Sequence, residues 1–125
     1  MPEFSLHIYR ALLVALRKAG YRFMTLEQYV SAPPEAVERV AVMRHDVDKL
    51  PLNSLRMAEL EKREGVAATY YFRCVPESYD ERCIRDIAAL GHEIGYHYED
   101  MSIAGGDVEK AYAHFCEVLE RLRGF

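Results

Sequence analysis

Apolar positions along the chain follow two rhythms. Between Ser5 and Gly20, the residues Leu6, Tyr9, Leu12, Leu13, Leu16 and Ala19 recur every three or four positions. This predicts an amphipathic helix with a serine cap at its start and a glycine just past its end. The same period returns in LNSLRMAELEKRE, stopped by Gly65, and in residues 81–90, stopped by Gly91. It returns again near the C-terminus, where Val108, Ala111, Tyr112, Phe115, Val118, Leu119 and Leu122 form one stripe ahead of Gly124. Between these helices lie short β-branched and aromatic runs: VERVAVM leading into RHDVD, then VAATYYFR, then HEIGYHY. Each has the length and composition of a strand. YRFMT reads as a short strand or extended piece, LEQYV as a helical turn, and SAPPEA as a loop ahead of the strand around residues 39–45.

Strand, helix, strand, helix, strand, helix with short connections predicts right-handed βαβ units and a parallel sheet, hence an α/β fold. A chain of 125 residues, half of them hydrophobic, suits one domain. Within it, residues 1–38 read as a leading helix and extended segment, and 39–125 as the strand-helix series. Only three core strands are placed, so the sheet has edges that further chain must cover.

Charge and cysteine usage narrow the class. The net charge is −4 and the cations are scattered among acids, so no basic run suggests nucleic acid as a partner. Cys74, Cys83 and Cys116 are odd in number and lack C-x-x-C spacing, which argues against a disulfide framework or zinc knuckle and for a reducing compartment. Arg10, Arg17 and Lys18 interrupt the apolar start, and no stretch reaches the length of a membrane span. The expectation is a cytoplasmic protein without a membrane partner.

The chemistry gathers in two strands. In RHDVD alternate side chains share a face, which groups Arg44, Asp46 and Asp48 apart from His45 and Val47. Carboxylates so close call for a cation between them, either a divalent metal or Arg44. In the competing reading Asp48 caps the next helix and Asp46 pairs with Arg44. In HEIGYHYE the residues Glu93, Gly95, His97 and Glu99 share one parity, and Gly95 leaves room for close approach. His97 and Glu99 could both reach a metal held by Asp48, or could be a partly exposed imidazole and a solvated carboxylate. His92 has the other parity, lies at the strand's start and reads as structural. Arg73, ending TYYFR, either serves the site, orienting an acid or binding an anionic substrate group, or pairs with Glu77 at the surface. Cys74 has no base partner in view and is not read as a nucleophile.

Taken in order, RHDVD, ATYYFR and LGHEIGYHYED resemble the NodB-type polysaccharide deacetylases, carbohydrate esterase family 4 and its relatives, over about residues 40–101. The resemblance implies a (β/α) barrel with fewer than eight strands, of which this chain would hold about the first half. It implies a hydrolase that removes acetyl groups from N-acetylated or O-acetylated sugars with a bound divalent metal, commonly zinc. By the same resemblance Asp46 is the general base, Asp48 a metal ligand, and His97 the first of two histidine ligands four residues apart. The second of those positions is Met101 here, a thioether poorly suited to such an ion. By parity Glu99 is the candidate replacement, with Asp100 the alternative. Arg44 and Arg73 are the candidate substrate-binding cations. The family's later motifs, an arginine that orients the base and a histidine that protonates the leaving group, would fall beyond Phe125. The chain is therefore expected to be the N-terminal portion of a longer barrel, or to pair with the missing C-terminal half or a second copy. Two other readings stand beside this one: a pseudoenzyme whose cleft binds a glycan or a partner, and a different metal hydrolase on a (β/α) barrel.

Overall fold

The Ser5 hydroxyl accepts from the Ile8 amide at 3.2 Å and opens helix α1, Leu6–Lys18. The computed structural model describes residues 5–33, 35, 38–47, 51–73, 79–97 and 104–125. After α1 come β1 (Arg22–Met24), α2 (Leu26–Ser31), β2 (Val40–Val42), β3 (Arg44–Val47), α3 (Pro51–Arg63), β4 (Thr69–Phe72), α4 (Glu81–Ala89), β5 (Glu93–Tyr96) and α5 (Val108–Leu122). Asp80 and Asp107 cap α4 and α5 through their side chains. Gly65 and Gly91, at φ 73° and 95°, let the chain leave α3 and α4 through the left-handed region.

Every described strand pairing is parallel, and the fold is α/β. The single strand expected around residues 39–45 divides at Met43: β2 pairs with β1, while β3 pairs with β4 in a three-stranded sheet of order β3-β4-β5. The division follows from hydrogen bonding, because the two halves of one extended run find different neighbours. Among the described residues neither sheet closes on itself. No described helix is long and apolar enough to cross a membrane.

Alternation gives the three-stranded sheet two unlike faces. Val47, Tyr70, Phe72 and Tyr96 point to one side, where they form the main core with Ala58 of α3, Ile84 and Ile87 of α4, and Val118 and Leu122 of α5. Each large side chain fully buried here stabilises by roughly 1.5–3 kcal/mol. Helix α1 packs behind α3, with Tyr9 and Leu13 against Leu60 and Val66.

A carboxylate sits inside this apolar layer. Glu61 of α3 has no solvent exposure and accepts from the Tyr9 hydroxyl of α1, the Tyr70 hydroxyl of β4 and, at 2.7 Å, the His45 Nε2 of β3. Three donors from three elements meet the demand that a buried charge makes. Beside it, His92 Nδ1 accepts from the Ala68 amide at 3.0 Å and Nε2 donates to the Ala58 carbonyl at 2.9 Å. An amide can only donate and a carbonyl only accept, so His92 is the Nε2–H tautomer. Its 3.8 Å approach to Glu61 is therefore no ion pair. Burial, reinforced by the Glu61 carboxylate, pushes the Tyr9 and Tyr70 phenols well above the usual tyrosine range.

Two outcomes follow from this cluster. Glu61→Ala strands three buried donors and should lower the unfolding free energy in urea by about 3–5 kcal/mol. The phenols keep their protons when folded and lose them near pH 10 when unfolded. The stability they contribute is thus complete below about pH 10 and falls as pH rises, by up to about 1.4 kcal/mol per pH unit for each phenol. Urea titrations of the wild type and of Tyr9→Phe/Tyr70→Phe between pH 9 and 11 should show the shallower decline in the variant.

Candidate functional site

The other face of the sheet carries Arg44 and Asp46 from β3, Thr69 and Tyr71 from β4, and Glu93 and Gly95 from β5, with Asp46, Tyr71 and Gly95 at one level of the register. Its N-terminal end is closed by the start of α2. The Leu26 amide donates to Thr69 Oγ1 at 3.0 Å, the Glu27 amide donates to Glu93 Oε1 at 3.1 Å, and the Thr69 hydroxyl donates to the same Glu93 oxygen at 2.8 Å. Thr25 and Gln28 complete a capping box on the same helix. Glu93 shares the parity of His97 but is committed to satisfying helix amides.

Toward the C-terminal end of the face lies a cleft of about 390 Å³, lined among the described residues by Arg44, Tyr71, Tyr96 and His97. Arg44 and its neighbour Asp46 are half-exposed, and the Arg44 Nε–H donates to Asp46 Oδ1 at 3.1 Å. The other carboxylate oxygen, Oδ2, faces His97 Nε2 at 3.8 Å, too far for a hydrogen bond. His97 Nδ1 is buried and finds no hydrogen-bond partner among the described residues. The Arg44 guanidinium carbon lies 4.2 Å from the centroid of the Tyr71 ring. That ring in turn lies over Gly95, where a Cβ would stand 2.5 Å from Tyr71 Cε1. The Tyr71 phenol is raised by burial, opposed by Arg44 and reinforced by Glu93 and Asp46.

Of the residues singled out from sequence, Asp46, Arg44 and His97 converge at this cleft, and Arg73 follows β4 at the same end of the sheet, half-buried. Asp48, Glu99, Asp100, Met101, Cys74 and Glu77 lie outside the described residues. Among those described, no group of three or more His, Cys, Asp or Glu side chains is gathered as a metal site. Asp46 and His97 by themselves fit a divalent ion in chemistry. His97 would offer the ion an imidazole nitrogen, and Asp46 an unbonded carboxylate oxygen beside it at 3.8 Å, placed as a base for a water held there.

No family model, curated protein or solved structure matches this chain.

Sequence reasoning assigns no role to Glu61 and does not bring Tyr9 and Tyr70 to it. A signal was available for the first, since Glu61 stands three and four residues after Ala58 and Met57 on the buried stripe of α3, an unusual place for a charge. It also passed over the Tyr71–Gly95 packing, because which ring lies over a glycine depends on strand register. Gly95→Ala should force the Tyr71 ring aside, with a loss of roughly 1–3 kcal/mol in stability. The displacement should appear as changed Tyr71 and Arg44 side-chain NMR shifts, while those of Tyr9 and Tyr70 stay as they are.

Proposed function

We propose that this chain carries the catalytic end of a metal-dependent hydrolase that removes acetyl groups from N-acetylated or O-acetylated sugars, as the likeness to polysaccharide deacetylases implies. What supports the reading is one juxtaposition: Asp46 and His97, from strands on either side of β4, face each other at the C-terminal end of a parallel sheet beside an open cleft. Strand exits of parallel α/β sheets are where such folds place their chemistry.

In this reading Asp48, His97 and Glu99 hold the ion and Asp46 is the general base. A bound divalent ion supplies an activated water and polarises the acetyl carbonyl. Asp46 Oδ2, turned toward the cleft, takes the proton as water attacks, and that proton is the one the departing amine or alcohol requires. His97 can give Nε2 to the ion. Arg73, at the same end of the sheet, is the candidate contact for the substrate.

Calorimetric titration with zinc and measurement of acetate released from N-acetylated chitooligosaccharides test the reading together. The wild type should bind one zinc ion and Asp48→Ala should bind at least tenfold more weakly. Asp46→Asn should keep most of the zinc affinity while losing about a hundredfold or more in acetate release. An equal lack of zinc binding in wild type and Asp48→Ala would overturn the enzyme reading and favour a cleft that only binds glycan.

A further inference from the structure

We infer that Arg44 is a positioning residue, held in place by Tyr71 and Gly95, that fixes the direction of the Asp46 carboxylate. The inference rests on Asp46 being the base of the proposed reaction. An exposed Arg–Asp pair two residues apart on a strand would ordinarily be mobile and contribute little. Here the arginine, though half-exposed, is held by a second contact. Arg44 stands opposite Thr69 in the register, yet its guanidinium reaches diagonally to the Tyr71 ring at 4.2 Å. The ring can be received there because β5 presents a glycine at that level, where any Cβ would collide with it.

Gly95, Tyr71, Arg44 and Asp46 therefore form one dependency running across β5, β4 and β3. Its result is an asymmetric carboxylate. Oδ1 is taken by the Arg44 Nε–H at 3.1 Å, and Oδ2 is turned toward His97 at 3.8 Å. A guanidinium lying on a ring and bonded through Nε has only its terminal nitrogens left for substrate, so its main work is to orient the base. A lysine offers neither the flat face nor the Nε donor.

Three-bond couplings from Asp46 Cγ to its backbone nitrogen and carbonyl, measured on the labelled full chain, report the χ1 rotamer without reference to activity. The wild type should show a single rotamer, and Arg44→Gln, Arg44→Lys and Tyr71→Ala should each show averaging. The helix-capping Asp80 and Asp107 should keep their wild-type couplings in every variant, which establishes that the fold persists. Unchanged Asp46 couplings in Arg44→Gln would overturn the inference, and this surface variant decides the matter should Tyr71→Ala fail to fold. In the acetate-release assay, Arg44→Gln should lower kcat by about tenfold or more with KM unchanged. A raised KM at constant kcat would overturn the inference in favour of a substrate contact. If the wild type releases no acetate, the function proposed above fails, and the couplings alone still decide whether Arg44 orients Asp46.

Discussion

Glu61 is the constraint around which this molecule is arranged. A carboxylate without solvent exposure would be intolerable in an apolar layer unless donors surrounded it, and the donors come from α1, β3 and β4. Because each is supplied by a different element, the charge fixes those elements to one another with a directionality that apolar packing lacks. His45 is bonded to it on the helix-covered side of β3, and the next residue, Asp46, emerges on the open side. The buried cluster and the candidate site are thus the two faces of one strand. His92, with both ring nitrogens bonded to backbone groups, closes the same region from the start of β5.

The open face is organised by the same economy of satisfied polar groups. Its N-terminal end is filled by α2, whose first amides are bonded by Thr69 and Glu93, so polar side chains there serve the fold. At the C-terminal end Tyr71 fills the space above Gly95 and Arg44 lies on Tyr71, leaving a cleft bordered by His97. Among the described residues the face is thus structural at one end and carries a cleft at the other. The exposed pair Arg44 and Asp46 stands beside His97 at that cleft.

Much of this was legible in the chain. Helix positions, the cap at Ser5 and the stops at Gly65 and Gly91 follow from patterns within a few residues of each other. So did the grouping of Arg44 with Asp46 and of Gly95 with His97, since side-chain alternation along a strand is a local property. The capping box of Thr25 and Gln28 is equally local, and it makes a helix of the segment that LEQYV alone presents as a turn. Other features were beyond local pattern. The break of one extended run into β2 and β3 depends on two different partner strands. The use of Glu93 as a cap depends on α2, whose Glu27 amide lies 66 residues away from it in the chain.

The sequence by itself determined the alternation of strands and helices, the polar and apolar sides of each, and the short roster of residues able to do chemistry, because these depend on period and on side-chain type. Only the tertiary structure decided which of that roster meet. Tyr9 and Glu61 are 52 residues apart and share a hydrogen bond, while Asp46 and His97 face each other across an intervening strand. Such meetings are set by strand register and helix docking, which a buried charge and its donors hold in place, and no local pattern encodes them.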